Sequence, residues 1–244
     1  MNRCAFSIMV NDAIADEVQR IHKLKERPIV VRSTPNKWSV DSDVCREIRK
    51  GFLGAMKDPR EIVLMYHGGI TRGRGIEMLL QVTRENPYVC SVVLGNCGDN
   101  YLDELKELAE KLNVADRVLF HPAVPIDVLW KYVGAADVGM ILAPATVKNH
   151  LYSLPNKFFE NIQSETPVIC PEYPAMKPIV DQYQFGLTCD PTDLSQVNAC
   201  VEKMRTDKAF YAQCKENLKK AKEELCWEKE KTVLLEAYRE ALHL

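Results

Sequence analysis

The segment IVLMYHGGITRGRGIEMLLQVTRENPYVCSVVL, residues 62–94, determines the fold class that the sequence predicts. It starts with a short apolar run from Ile62, passes through a glycine-rich turn into a helical pattern near Gly75–Glu85, and ends in a second apolar run from Val89. Continuous apolar runs of this length are typical of strands buried on both faces, because helices cover both faces of a parallel sheet. The segment therefore predicts a parallel βαβ unit.

The same alternation of apolar run, turn and helical pattern extends to about residue 192. Further apolar runs start at Arg117, Asp137, Pro167 and Gly186. Helical patterns lie at Leu102–Leu112, Asp127–Val133, Pro155–Gln163 and Lys177–Tyr183. This order predicts an α/β fold with a Rossmann-like, doubly wound parallel sheet, and such a sheet binds ligands at the carboxyl ends of its strands.

The segments on either side of this sheet have other patterns. Phe6–Arg32 is typical of one strand, one helix and one strand, which is too little for a domain, and a polar segment with a short helix follows it. From Asp193 the pattern is helical to the C-terminus. The predicted regions are a small βαβ unit at 1–40, a linker at 41–60, the sheet domain at 61–192 and C-terminal helices at 193–244.

The composition excludes several classes of protein. Hydrophobic residues make up 46% of the 244 residues, enough for a packed core, and the formal net charge of -2 gives no field to hold nucleic acid. The nine cysteines never form C-x-x-C, which fits a reducing compartment better than a disulfide framework. No segment is apolar enough for a signal peptide or a membrane span. We expect a cytoplasmic protein that reaches the inner face of the membrane only through a partner.

The first candidate site is the turn after the first long strand, MYHGGITRGRGIEMLL. Gly68 and Gly69 let the backbone approach a ligand closely, Arg72 and Arg74 carry guanidinium groups that fork onto phosphate oxygens, and the following helix offers free N–H groups. These features predict a phosphate site, although the segment matches neither G-x-G-x-x-G nor a P-loop. An ordinary tight turn with solvated arginines is the alternative.

The second candidate is NHLYSLPNKFFENIQSETPVICPEYP, residues 149–174. Pro155 suits the start of a helix, whose free N–H groups would face the same crevice as those of the first segment. Glu160 then lies on the first or second turn and points back along the strand ends. A carboxylate there can accept hydrogen bonds from a ribose diol, as acidic residues do in dinucleotide sites. A solvated helix glutamate is the alternative.

Together and in this order, the two segments resemble the donor-binding, C-terminal domain of glycosyltransferase family 4, retaining enzymes of the GT-B fold. The resemblance runs from Ile62 to about Thr192 and rests on the turn with Arg74 and Gly75 and on RVLFHPAVP, AADVGMILAP, SLPNKFFE, ETPVICPEYP and QFGLTCDPTD. It continues into CWEKEKTVLLEAY, which is similar to the closing helix that packs onto the partner domain in that family. The small βαβ unit would then be a remnant of this partner domain, which is the N-terminal domain in the family.

The resemblance implies transfer of a sugar from a UDP-sugar or GDP-sugar donor to an acceptor hydroxyl, with retention at the anomeric carbon and without a metal ion. Glu160 would take the second position of the family's Glu, seven residues, Glu motif and hold the ribose hydroxyls. The implied donor-binding residues are Gly68, Gly69, Arg72, Arg74, Tyr152, Ser153, Leu154, Pro155, Asn156, Lys157 and Glu160. No catalytic residue is assigned, and no cofactor is implied besides the donor.

Two positions depart from the family's pattern. The first position of the motif is Tyr152 rather than Glu, so the carboxylate that usually contacts the donor sugar is replaced by a phenol. Gly69 stands where many members place Arg, and Arg72 is the candidate to replace that cation. The identity of the donor sugar therefore stays open.

Two other features are compatible with a metal site but have simpler explanations. The stretch DSD at Asp41–Asp43 is similar to the Asp-x-Asp motif of metal-dependent sugar transferases, yet no apolar strand delivers it to a sheet edge, and Asp and Ser are common helix caps. His67, His121 and His150 lie on separate loops without carboxylates at ligand spacing. We expect a helix cap in the first case and polar groups around a nucleotide pocket in the second.

Family 4 enzymes place the acceptor site in an N-terminal domain about as large as the donor domain, and Phe6–Arg32 matches only the end of such a domain. We therefore expect the acceptor half to lie in a separate subunit or in a missing N-terminal half. The first functional hypothesis is a glycosyltransferase whose donor half this is. The alternatives are a nucleotide-sugar-binding module without turnover and, with weaker support, a nucleotide-sugar epimerase.

Overall fold

The computed structural model describes residues 4–243, so the predicted regions 1–40 and 193–244 each extend slightly beyond the described part. Two parallel sheets are present within it, one of six strands and one of two. The predicted α/β class with a Rossmann-like, doubly wound sheet is confirmed, as are the small βαβ unit before the sheet and the helical tail after it. No helix of residues 4–243 has both the length and the apolar character needed to cross a bilayer.

The described residues form strands and helices in alternation. The strands are β1 (Ile8–Met9), β2 (Ile29–Val30), β3 (Ile62–His67), β4 (Val89–Leu94), β5 (Val118–His121), β6 (Val138–Met140), β7 (Val168–Pro171) and β8 (Gly186–Cys189). The helices are α1 (Asp12–His22), α2 (Ser42–Ala55), α3 (Ile76–Glu85), α4 (Tyr101–Lys111), α5 (Ile126–Val133), α6 (Lys148–Leu151), α7 (Asn156–Gln163), α8 (Lys177–Tyr183), α9 (Leu194–Thr206), α10 (Lys208–Glu224) and α11 (Trp227–Leu242).

Short polar side chains account for the start of several helices. Asn11, Asp41, Asp193 and Asp207 each accept hydrogen bonds from backbone N–H groups in the first turn of the helix that follows, which satisfies donors that the helix itself leaves free. The tail was predicted as continuously helical. It is divided into three helices because Asp207 ends α9 and caps α10, and residues 225–226 separate α10 from α11.

The strand order of the large sheet is β5-β4-β3-β6-β7-β8. The chain therefore builds outward from β3 to one edge and then returns to build β6, β7 and β8 on the other side of β3. In open α/β sheets, the point where the order reverses leaves a crevice at the carboxyl ends of the two central strands. Here that point lies between the end of β3 at His67 and the end of β6 at Met140.

Alternate residues of β3 face opposite sides of the sheet. Leu64 and Tyr66 belong to a core cluster with α3, α4 and α9, whereas Val63 and Met65 pack with α2 and α5. A third cluster joins α7, α8 and α10 around the fully buried Phe158. Helices cover both faces, which explains why the strands are continuous apolar runs.

The segment 41–60 is more structured than the predicted linker with a short helix. Its helix α2 has 14 residues and buries Phe52 against the same face of the sheet as Val63. Cys45, Ile48 and Phe52 have the i, i+3, i+7 spacing of a helix face that packs on a core, which is the signal for this contact. The division of the chain at residues 40, 60 and 192 stays a prediction.

The small unit formed by β1, α1 and β2 is attached to the last helix. The Phe6 ring packs edge-on against Tyr238 of α11, with 5.1 Å between centroids. Glu230 of α11 is 4% exposed and accepts hydrogen bonds from the backbone N–H of Arg32 at 2.7 Å and from its guanidinium at 3.2 Å. α11 therefore returns from the large sheet to the N-terminal unit.

Candidate functional site

Glycines shape the turn after β3. Gly68 has a φ of +115° and Gly75 a φ of +77°, conformations that other residues rarely adopt. A Cβ at Gly75 would also meet the Leu142 carbonyl oxygen at 2.1 Å, so this glycine lets the turn lie directly against the chain after β6. The N–H groups of Gly68 and Ile70 donate to backbone carbonyls at the end of β4. The N–H of Gly69 has no partner among the described residues, which leaves it available to a ligand.

The helix α7 begins at Asn156 with Pro155 as its N-cap, one residue later than predicted. At the N-cap Pro155 has an extended backbone, with a φ of -73° and a ψ of 149°, and as a proline it has no N–H to leave unsatisfied. Phe159 and Ile162 are buried, as the sequence predicted, and this fixes the rotation of α7. Glu160 therefore points toward the end of β3.

His67, the last residue of β3, contacts Glu160. Its Nε2 lies 2.9 Å from Oε2 of the carboxylate, and the imidazole is 2% exposed while the Glu160 side chain is 16% exposed. Burial lowers the pKa of His67, and the hydrogen bond with Glu160 opposes this shift. The carboxylate is thus held at the strand end by a buried neutral imidazole.

Lys157 supplies a positive charge beneath the glycine turn. Its Nζ lies 3.7 Å from the centroid of the Tyr66 ring and 3.3 Å from the point where a Cβ of Gly68 would stand. Burial, reinforced by the charge of Arg74, lowers the pKa of Lys157 to about 7, and the Glu160 carboxylate opposes the shift. An anion beside this ammonium group would favour its charged form.

Tyr66 forms the floor under this ammonium group. Its hydroxyl donates to the carbonyl of Gly69 at 2.5 Å, which ties the strand to the turn above it. Burial raises the pKa of Tyr66 to about 12, so the phenol stays neutral and presents the face of its ring to Lys157.

A pocket of about 240 Å³ opens at this edge of the sheet. Arg74, Leu142, Ser153, Lys157 and Tyr173 are among its lining residues, so it lies between the turn after β3 and the segments that follow β6 and β7. We call it the switch-point pocket. Gly68 and Glu160 do not line it themselves, but both adjoin Lys157, which does. A larger cavity of about 370 Å³ lies between the N-terminal unit and α11, away from these side chains.

The two predicted arginines differ in their surroundings. The guanidinium of Arg72 pairs with Glu104, lies 3.7 Å from Asp99 and is 4.6 Å above the Tyr101 ring. Three groups on or next to α4 thus compete for it. Arg74 is exposed at the pocket, and its Nε makes only a long contact of 3.4 Å, to Oγ1 of Thr71. Arg74 is therefore the freer of the two cations.

The residues before α7 are brought together only in part. The backbone carbonyl of Tyr152 accepts a hydrogen bond of 2.8 Å from Asn11, and its ring lies 5.8 Å from Nζ of Lys148, outside the switch-point pocket. Leu154 packs against the core, whereas Ser153 and Pro155 line the pocket. Asn156 is exposed at the first position of α7. Of residues 152–157, Ser153, Pro155 and Lys157 line the switch-point pocket.

Two features of the site were missed at the level of sequence. The partner of His67 was not predicted, although a polar residue that ends an apolar strand directly before a glycine turn is a usable signal. The position of the Lys157 side chain was not predicted either, because its i, i+3 relation to Glu160 on α7 leaves its contact with β3 undetermined. Both contacts depend on how α7 packs against the sheet.

Of the two features that were compatible with a metal site, the Asp41–Asp43 stretch forms the expected helix cap. Of the three histidines only His150 lines the switch-point pocket, whereas His67 is buried against Glu160 and the His121 ring lies 5.3 Å from that of Tyr132. Asp41 caps α2, accepting from the N–H groups of Asp43 and Val44. Among residues 4–243, no group of three His, Cys, Asp or Glu side chains lies close enough together to hold a metal ion. All nine cysteines are free thiols.

The fold is similar to three solved structures. HepE from Anabaena in complex with UDP is 15% identical, with a TM-score of 0.81 and coverage of 100% of this chain and 65% of HepE. WaaG, a glycosyltransferase involved in lipopolysaccharide biosynthesis, is 19% identical, with a TM-score of 0.69 and coverage of 95% and 64%. The C-terminal domain of the group 1 glycosyl transferase LpcC from Francisella tularensis is 16% identical, with a TM-score of 0.58 and coverage of 75% and 96%.

These identities establish the fold alone, and this chain spans less than two thirds of the length of HepE and WaaG. No curated protein matches it in sequence. The family model of the glycosyl transferases group 1, however, matches residues 54–221, which include β3, the glycine turn, α7, α9 and most of α10. The match covers more than half of the chain. The resemblance inferred from the sequence motifs is therefore confirmed, and the chain belongs to the group 1 glycosyl transferases.

Proposed function

We propose that this chain is the donor-binding half of a retaining, metal-independent glycosyltransferase that moves a sugar from a nucleoside diphosphate to an acceptor hydroxyl. One observation carries the proposal: the switch in strand order brings two cations, a free backbone N–H and a hydrogen-bonded carboxylate to one sheet edge. The cations are Arg74 and Lys157, the N–H is that of Gly69, and the carboxylate is Glu160. The presence of UDP in the structure of HepE supports this assignment.

The diphosphate would lie between the glycine turn and the N-terminus of α7. The first N–H groups of a helix have no partner within it, and together with the helix dipole they favour an anion. Arg74 and Lys157 approach from two different elements, so the charge does not depend on a single mobile side chain. Pro155 lines the switch-point pocket directly before α7, so we expect the free N–H groups of the first turn to face the same volume.

The ribose would be held by Glu160. Its carboxylate is mostly buried, is fixed by His67 and adjoins Lys157 without lining the switch-point pocket. A carboxylate with a free oxygen can accept hydrogen bonds from a vicinal diol, whereas a neutral amide of the same shape accepts them more weakly. We propose uridine or guanosine diphosphate as the nucleotide.

The proposed chemistry uses fixed charge rather than a metal ion. The bond between the anomeric carbon and the diphosphate oxygen breaks, a bond to the acceptor oxygen forms on the same face, and the acceptor hydroxyl passes its proton to an oxygen of the departing diphosphate. Negative charge builds on the departing diphosphate, where Arg74, Lys157 and the helix N-terminus stabilise it as it develops. Preorganised groups of this kind need no rearrangement at the moment of transfer.

We place the acceptor site on a partner subunit or on a further part of a longer chain. The described residues before β3 form only two short strands and two helices, and the chain spans about 65% of HepE. A binding module without turnover is the second candidate, because this small N-terminal unit offers little surface for an acceptor. Consumption of a nucleotide sugar on addition of an acceptor, by the chain alone or with a partner, would favour the enzyme.

Calorimetric titration with UDP and with GDP in the presence of EDTA tests the donor site. We expect one of the two to bind with one-to-one stoichiometry, and added magnesium to leave the affinity unchanged. The Arg74→Ala and Glu160→Ala variants are expected to bind at least tenfold more weakly, since each loses about 1.5–3 kcal/mol of hydrogen bonding to a charged group. Unchanged affinity in both variants would remove this site from the proposal.

A further inference from the structure

The last residue of β3 is a buried histidine on a face that is otherwise apolar. His67 is 2% exposed and follows Val63 and Met65, which lie on the same side of the strand and pack against α2 and α5. Burying an imidazole costs free energy unless it is hydrogen-bonded, and an apolar residue would fill this position without that cost. Packing alone therefore does not explain a histidine here.

The one hydrogen-bond partner of this histidine within the described residues is Glu160, at 2.9 Å between Nε2 and Oε2. Burial lowers the pKa of His67, the charge of Lys157 acts in the same direction, and Glu160 acts against them. A neutral imidazole has one N–H and a carboxylate only accepts hydrogen bonds, so Nε2 carries the hydrogen and donates a hydrogen bond to Oε2. The second oxygen of Glu160, Oε1, accepts no hydrogen bond from the described residues.

We propose that His67 is a positioning residue that holds the Glu160 carboxylate in the orientation in which it receives the ribose hydroxyls of the donor. The inference rests on the proposed function and adds a residue that acts through Glu160. At 2% exposure, His67 is itself out of reach of a nucleotide. It fixes Oε2 and leaves Oε1, which has no hydrogen-bond partner among the described residues, for the ribose hydroxyls.

The physical effect is preorganisation. A glutamate has three rotatable side-chain bonds, and ordering them when a ligand binds costs affinity. A hydrogen bond from a rigid strand end removes that cost in advance. The hydrogen bond also favours ribonucleotides over dideoxynucleotides, because a nucleotide without the 2′ and 3′ hydroxyls gains nothing from an oriented carboxylate. The contribution of His67 to affinity therefore appears only when those hydroxyls are present.

The test compares the affinity for UDP or GDP, whichever binds, with that for its 2′,3′-dideoxy form. The His67→Phe variant keeps a ring in the buried site and removes the donor. The His67→Gln variant keeps an N–H donor at about the distance of Nε2. The Thr166→Val variant is the matched control, because Thr166 is also buried and donates at 3.0 Å to the Val133 carbonyl, but lies before β7 at the opposite end of the sheet. Thermal unfolding of each variant separates binding from folding.

We expect the wild-type chain to prefer the ribonucleotide by about tenfold or more, as for loss of a hydrogen bond to a charged group. His67→Phe should bring this preference close to one by weakening ribonucleotide binding only. His67→Gln should retain most of the preference, and Thr166→Val all of it.

An equal loss for both nucleotides in His67→Phe, or an unchanged preference, would overturn the positioning role while leaving the donor site intact. If His67→Phe does not fold, His67→Leu takes its place as the variant without the donor: loss of the preference in His67→Leu with retention in His67→Gln supports the inference, and the same preference in both contradicts it. Failure of the wild-type chain to bind either diphosphate would overturn the proposed function, and this inference with it.

Discussion

The side-chain amide of Asn11 donates a hydrogen bond of 2.8 Å to the backbone carbonyl of Tyr152, which lies 141 residues further along the chain. The same side chain caps α1 through its oxygen, which accepts from the N–H of Ile14 at 2.9 Å. Asn11 is 2% exposed. The N-terminal unit is therefore connected directly to the segment that leads into α7.

Replacing Asn11 by Asp separates these two roles. The Asn11→Asp variant retains the oxygen that caps α1 but replaces the donor to Tyr152 with a carboxylate oxygen, which repels the carbonyl. We expect a loss of about 1–3 kcal/mol in the free energy of unfolding, measured in urea, because a buried acceptor loses its partner. We also expect faster hydrogen exchange at residues 152–157. Unchanged stability and exchange would mean that this contact does not hold the segment.

Removing the charge of Lys157 should weaken diphosphate binding far more than removing that of Arg72. Lys157 adjoins Gly68, whereas Arg72 is paired with Glu104 and lies near Asp99. We expect the Lys157→Met variant to lose about 1.5–3 kcal/mol, or roughly ten- to hundredfold in affinity for UDP or GDP, and the Arg72→Ala variant to lose less than about twofold. The opposite ranking would mean that Arg72, and not Lys157, is the second cation that binds the diphosphate.

A second substitution, on the glycine turn, can restore the positive charge that the Lys157→Met variant lacks. Gly69 does not have the positive φ of Gly68, and no heavy atom lies within 4 Å of the position of its Cβ, so it can accept a side chain. We expect Gly69→Arg to recover most of the affinity lost in Lys157→Met, as measured by the same titrations. A Gly69→Gln variant is the uncharged control of similar reach. No recovery in the double variant would mean that the two positions do not serve the same phosphate.

Nucleotide binding should be coupled to proton uptake by Lys157. Its pKa is lowered to about 7 in the free chain, and a bound diphosphate favours the ammonium form, so the pKa rises on binding. Near pH 7.5 we therefore expect the wild-type chain to bind, on nucleotide binding, as much as about one proton more than the Lys157→Arg variant does. We also expect the affinity of the wild-type chain to fall as the pH rises above about 7. Calorimetry in buffers of different ionisation enthalpy measures this difference, and equal uptake in both proteins would contradict it.

The same group affects stability without ligand, with the opposite dependence. The pKa of Lys157 is lowered from 10.5 to about 7, so between these values the unfolded chain binds a proton that the folded chain does not. The free energy of unfolding therefore rises as the pH rises from about 7 to 10.5, and below pH 7 it is lower than above pH 10.5. We expect the slope of unfolding free energy against pH to be smaller in Lys157→Met than in the wild-type chain, measured by urea denaturation without nucleotide.

Two neighbouring glycines form a matched pair for testing the turn. Gly73 and Gly75 both have a φ of +77°, but a Cβ at Gly73 would meet nothing within 4 Å, whereas one at Gly75 would meet the Leu142 carbonyl oxygen at 2.1 Å. We expect Gly73→Ala to cost about 1–2 kcal/mol of unfolding free energy from backbone strain. Gly75→Ala should cost about 1–3 kcal/mol more because the turn must move away from β6. Equal costs would show that the close approach is not required.

The large sheet could be predicted from sequence because its strands have local patterns in the sequence. The strands beginning at Ile62, Val89 and Gly186 start where the apolar runs start, and the capping residues and glycines mark the turns. The helix α6 was not predicted, since four residues give too little pattern to detect. The packing of α2 on the sheet was underestimated because its apolar face is interrupted by charged residues.

The candidate site could be predicted in position but not in detail. The two segments were assigned to one crevice by the topology of a doubly wound sheet, and the assignment of their residues to a donor stays a prediction. Which cation faces the ligand depends on the carboxylates of Glu104 and Asp99, which draw Arg72 away, and on the Tyr66 ring, which holds Lys157 at the turn. None of these groups is close in sequence to its partner. Long-range packing of this kind leaves no periodic trace in the chain.

The ammonium group of Lys157 stands within 3.3 Å of where a side chain on the glycine turn would begin, although it arrives from a helix about ninety residues downstream. Aligned column by column with its relatives, the chain would be scored as having lost a charge at Gly69. That single position does not show the amino group that Lys157 brings to the adjacent Gly68 from another element. Relatives with a glycine at this column are therefore better compared by what surrounds the turn than by the residue that occupies it.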